Sequence, residues 1–134
     1  MSYYIARTVS GPFEAVVADV VERLKAQGFG ILSDIDVQAT LKAKLGADMP
    51  PYRILGACNP SFAHQALQIE DKLGVLLPCN VIVRETADRR VEVASVDPVV
   101  SMDRTGNAAL ASTAEEVRRR LASVIEAVAS QPAR

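Results

Sequence analysis

The chain has 134 residues, with 15 Lys plus Arg against 16 Asp plus Glu, a formal net charge of −1, and 49% apolar and 23% charged residues. That composition describes one packed domain over residues 1–134 and excludes extended disorder and any bulk attraction for nucleic acid or anionic lipid. Aromatic residues make up 4% and Trp is missing, so Val, Ile, Leu and Ala must fill the core.

No apolar run approaches the roughly 20 residues of a membrane-spanning helix. Met1 to Ser10 has neither the apolar stretch nor the small-residue cleavage site of an export signal. The expectation is a cytoplasmic protein whose two cysteines, Cys58 and Cys79, stay reduced.

Tyr3 to Val9 alternates as a strand does, and Ser10-Gly11-Pro12 stops it. Phe13, Val16, Val17, Val20, Val21 and Leu24 then recur at helical spacing, with Glu14 near the positive end of the dipole and Gly28 as a left-handed stop. The predicted helix spans Pro12 to Gln27. Phe29 to Ile35 reads as a strand, and Asp36 is placed to cap a short helix from Val37 to Leu45. After Pro50-Pro51, Tyr52 to Ala57 is a third strand.

Asn59-Pro60 is a helix start, with Asn able to cap and Pro at the first helical position; the helix is expected to run to Lys72. Val75 to Glu85 reads as extended, with Pro78 where pairing begins, and Leu77 to Val96 as an antiparallel hairpin turning at Thr86 to Arg90. Asp97-Pro98 is read as a strand breaker. Val99 to Met102 is then a short extended piece and Asp103 to Ser112 a loop. Thr113 and Glu116 read as a capping box for a closing helix with Val117, Leu121, Val124, Ile125 and Val128 on its buried stripe.

The order β-α-β-α-β-α-β-β-α predicts an α+β domain: one mixed or antiparallel sheet with helices mainly on one face. Tyr4, Ala6, Leu55, Ala57 and Ile82 are the expected residues of the other face. They are too apolar for a solvated surface, which calls for a partner subunit or a ligand.

Three constellations are candidates for chemistry. Cys58-Asn59-Pro60 puts a thiol before a helix N-terminus, where partial positive charge favours a thiolate or an anionic group; the alternative is a buried Cys and a simple cap. Pro78-Cys79-Asn80 opens the hairpin, so neighbouring third and fourth strands would bring Cys79 near Cys58. With His64, the single histidine, Cys58 and Cys79 offer three ligands for an open zinc or copper site, although their spacing matches no compact finger. The polar segment Ser101 to Asn107 is a binding loop or a connector. Glu115, Glu116, Arg118, Arg119 and Arg120 form a salt-bridged helix face whose arginines diverge. Asp34 and Asp36 share one strand face.

Tyr52-Arg53-Ile54-Leu55-Gly56-Ala57-Cys58-Asn59-Pro60, then Gly74 to Val81 with Leu77-Pro78-Cys79 inside it, then Val96-Asp97-Pro98 resembles the domain of unknown function 302 family. The opening strand, the first helix and Gly28 to Leu32 share the resemblance. It implies a compact α/β domain in which helices grip a curved antiparallel sheet, commonly as a dimer, and it implies no established activity or cofactor.

The leading expectation is a non-enzymatic homodimeric module that holds a small molecule in a groove near Cys58, Asn59, His64, Pro78 and Cys79, with no catalytic residue assigned and no cofactor named. A thiol-redox or metal-binding protein using Cys58, Cys79 and His64 is the second reading. A structural or regulatory interaction domain without a ligand is the third.

Overall fold

The computed structural model describes residues 2–132. Strands β1 (Tyr4–Val9), β2 (Gly30–Asp36), β3 (Tyr52–Cys58), β4 (Cys79–Glu85) and β5 (Val91–Val96) form one antiparallel sheet in the order β1-β5-β4-β3-β2. Helices α1 (Phe13–Ala26), α2 (Val37–Leu45), α3 (Pro60–Ile69), α4 (Pro98–Asp103) and α5 (Ala111–Ala127) complete it, with short 3₁₀ turns at Leu73–Leu76 and Ala108–Leu110.

The core follows from the two periodicities. Strand residues at period two, Leu55, Ala57, Cys79, Val81, Val83, Val91 and Val93, line one face of the sheet. Val16, Val17, Val20 and Leu24 of α1 and Val117, Leu121, Val124 and Ile125 of α5 close over them. Each Val or Leu buried there contributes about 1.5–3 kcal/mol, and this aliphatic layer replaces the aromatic packing that the composition denies.

Leu55 and Ala57 are therefore core residues, 0% and 1% exposed, and do not belong to the open face as expected. They stand opposite Val81 and Cys79, beneath the helices. The residues of the other phase, Ile54 opposite Ile82 and Ile82 opposite Ala94, which in turn faces Ala6, make the open face. Alternation within β3 was clear in the sequence, but both of its faces are apolar, so the pattern alone did not say which faces the helices.

Asp36 caps α2 by accepting from the Ala39 N–H at 2.8 Å, and Gly46 closes that helix in the left-handed conformation. Asp34 turns instead to Arg53, whose guanidinium also reaches Glu14 of α1 at 3.1 Å. Glu14 thus spans from the helix start to the sheet.

Three local expectations are overturned. Val99 to Met102 is helical: Asp97, 6% exposed, accepts from the Val99 N–H at 3.0 Å and from Arg118 Nε at 2.9 Å, and so initiates α4. Asp97-Pro98 is thus a cap followed by a first-turn proline, as at Asn59-Pro60. The segment Asp103 to Ser112 is not one loop. Asn107 caps a 3₁₀ turn through the Ala109 N–H and α5 begins at Ala111, so Thr113 lies within the helix and Glu116 pairs with Arg119 and Arg120. The third change concerns α3, which ends at Ile69 and not near Lys72; Leu73, 1% exposed, then anchors a 3₁₀ turn over Val75 and Leu76, which were expected to be extended, and the extended backbone begins at Leu77.

Candidate functional site

A cavity of about 310 Å³ opens where β3 and β4 meet the helical layer. Ala57 and Cys79 form its base together with Phe29, which is held by its N–H donating to the Leu24 carbonyl at 2.9 Å. One wall is α3, through Phe62, Ala63, Ala66 and Leu67; the opposite wall combines Met102 of α4 with Thr113 and Val117 of α5. Leu77 and Pro78, which enter β4 through a cis peptide bond, and the exposed Leu32 of β2 form the rim.

The sheet order supplies the juxtaposition that the two cysteine segments required. Ala57 pairs with Cys79 across β3 and β4, so Cys58 is one residue from that pair, and both cysteines are among the residues that line the cavity. Both are free, Cys58 half-buried and Cys79 buried. Burial first, and the neighbouring Cys58 second, push the Cys79 thiol up to about 11. At pH 8 its thiolate fraction is then on the order of one part in a thousand. Iodoacetamide at pH 8 should therefore alkylate one thiol per folded chain, Cys58, and reach Cys79 only as the pH rises toward 11 or denaturant is added. Peptide mass mapping checks this, and equal labelling of both at pH 8 would contradict it.

Asn59 and Pro60 do not present a bare helix N-terminus. Pro60 lacks an N–H, the Phe62 N–H donates to Asn59 Oδ1 at 3.4 Å, and the Ala63 N–H donates to the Asn59 carbonyl at 2.9 Å. The cap and the proline together leave no more than the Ser61 N–H of the first turn for an anionic group. Gly28, at φ +86°, lets the end of α1 approach Asn59: an added Cβ would lie 3.0 Å from its Nδ2.

Of the five expected site residues, Cys58, Asn59, Pro78 and Cys79 share the cavity lining. His64 does not. It lies on the exposed side of α3, about 100° around the helix from Ala63. Among the described residues no group of three His, Cys, Asp or Glu side chains is arranged to hold a metal ion. The set Cys58, His64 and Cys79 is thus not gathered, because the helical phase that turns Ala63, Ala66 and Leu67 inward turns His64 outward. Segment Ser101 to Asn107 contributes Met102 to the cavity and is otherwise the end of α4 and its turn.

Sequence reasoning missed most of the wall. Ala63 and Ala66, three residues apart with Leu67 beside them, were visible as an apolar stripe, but a stripe of small residues leaves space only if nothing larger fills it from across the gap. Arg120 was also missed. Its guanidinium lies 5.0 Å from the Phe62 ring centroid, pairs with Glu116 at 3.1 Å, and donates to the Gln27 carbonyl at 3.1 Å, so α5 braces both Phe62 and the end of α1. Of the three arginines expected to diverge, Arg118 does so and binds Asp97, whereas Arg119 and Arg120 converge on Glu116.

The fold and site define a single open antiparallel sheet, helix-covered on one face, with an apolar cavity at one end of its central strands. The chain belongs to the family described as Domain of unknown function DUF302, whose model matches residues 5–128. It is similar to the crystal structure of an uncharacterized conserved DUF302 protein from Bacillus stearothermophilus, at 26% identity and a TM-score of 0.89, over 96% of this chain and 99% of that one. No curated protein matches the chain. Among the described residues no helix is long and apolar enough to cross a membrane.

Proposed function

We propose that the chain is a non-enzymatic small-molecule-binding module that works as a homodimer, with the cavity between α3, α5 and the ends of β3 and β4 as its ligand site. The observation that carries this reading is the cavity itself. A space of about 310 Å³ bordered almost wholly by apolar side chains lies at the lower end of small-molecule sites, about 300–1,000 Å³. A chain built only for stability would gain by closing it, because apolar surface left facing water forfeits the free energy of its burial.

Homodimer formation is favoured by the open face of the sheet. Tyr3, Tyr4, Tyr52, Ile82, Ala94 and the paired Arg84 and Glu92 surround a shallow groove there, and this face is not the one on which α1 and α5 lie. All three tyrosines of the chain border it, and aromatic residues are enriched at protein interfaces.

Native mass spectrometry of the protein as purified tests both parts. A dimer carrying extra mass that is lost on denaturation is the expected result. Ala6→Lys, at an exposed position of β1, should yield monomers that keep the extra mass. A wild-type monomer would remove the dimer reading, and repeated absence of bound mass after exposure to apolar extracts would count against the ligand reading.

A further inference from the structure

We propose that the cavity takes an uncharged, hydrocarbon-rich molecule carrying at most one uncharged polar group, a claim that rests on the ligand-binding reading above. Four observations converge on this class. No Asp, Glu, Lys or Arg side chain borders the cavity, so a charged ligand would be desolvated without a counter-ion. Arg120, which stands over the cavity-lining Phe62, is held by Glu116 and the Gln27 carbonyl.

The third observation concerns the helix end at the cavity mouth. Pro60 has no N–H and the Phe62 N–H donates to Asn59 Oδ1, which leaves no more than the Ser61 N–H of the first turn and weakens the usual backbone means of holding a carboxylate or phosphate. The fourth is the state of the polar lining. Among the lining residues only Asn59, Thr113, Cys58 and Cys79 carry polar side-chain atoms. Among the described residues no buried side-chain nitrogen or oxygen lacks a hydrogen-bond partner. The interior therefore does not call for a second or third polar group on the ligand.

The size, about 310 Å³, stands at the lower limit of the pocket range, about 300–1,000 Å³, and so suits a molecule smaller than a drug-sized one. Affinity should then rise about fourfold for each methylene added until the space is full, as expected for hydrocarbon burial.

Calorimetric titration at pH 7.5 with 1-octanol, octanoate and octylammonium separates the outcomes. They share one chain length and differ in the charge of the head. The expected result is that 1-octanol binds at least tenfold more tightly than either ion, and that Ala63→Phe removes its binding. Octanoate or octylammonium binding as tightly as 1-octanol, with that binding lost in Ala63→Phe, would overturn the assignment of class while leaving the ligand site standing. Failure of all three, together with failure of 1-hexanol and 1-decanol, would overturn the site and the class with it.

Discussion

The Ala63→Phe variant is expected to lose at least tenfold in affinity for any molecule that occupies the cavity, with a change in unfolding free energy of no more than about 1 kcal/mol. Ala63 is partly buried and borders the cavity, so an added ring can extend into empty space. Neighbouring Ala66 would not serve. It is 1% exposed and packed with Leu73 and Met102, where a larger side chain would force the walls apart. Titration and urea unfolding on the same variant read both effects. Undiminished binding would mean that ligands bind elsewhere, and a large loss of stability would mean that the cavity is less accommodating than its geometry indicates.

The second large effect is on stability. Gly56→Val should destabilise the fold by about 2–3 kcal/mol, lowering Tm by roughly 6–12 °C. Gly56 lies in β3 between β2 and β4, and an added Cβ would stand 2.8 Å from Pro78 Cγ and closer still to Ser33 Oγ. Proline is rigid and belongs to the cavity rim, so the clash cannot be relieved without moving Leu77-Pro78. Valine favours strands, which makes the sign of the result informative: propensity alone predicts stabilisation, whereas close approach predicts loss. Thermal unfolding decides between them.

How far the sequence could be read depended on the range of the interactions involved. The α1 stripe, the Asp36 and Asn59 caps and the β4–β5 hairpin were legible because each is set by residues a few positions apart. Asp97-Pro98 carried the same grammar as Asn59-Pro60, but the short apolar stretch after it resembled an extended segment. Only the burial of Asp97 against Arg118, 21 residues away, makes the helical start evident. Thr113 and Glu116 had the spacing of a capping box, yet α5 starts at Ala111, leaving Thr113 free to border the cavity.

The candidate site was located in the sequence, at Cys58, Asn59, Pro78 and Cys79, because Pro and Asn punctuation marks the ends of β3 and the beginning of β4. Its interior was not legible. Phe29, Met102 and Val117 come from distant elements, and strand order, a long-range property, decides that Cys79 stands beside Ala57. His64 could have been set aside from sequence alone. Phe62, Ala63, Ala66 and Leu67 share one side of a helix, and a residue at position 64 lies off it.

The most direct test of the central claim is methyl NMR of the wild-type protein titrated with 1-octanol. Resonances of Ala63, Ala66, Leu67 and Val117 should shift together and saturate, while those of Ile54, Ile82 and Ala94 on the open sheet face stay in place. Saturable shifts confined to Ile54, Ile82 and Ala94, or no saturable shifts at all, would contradict the assignment of this cavity as the binding site.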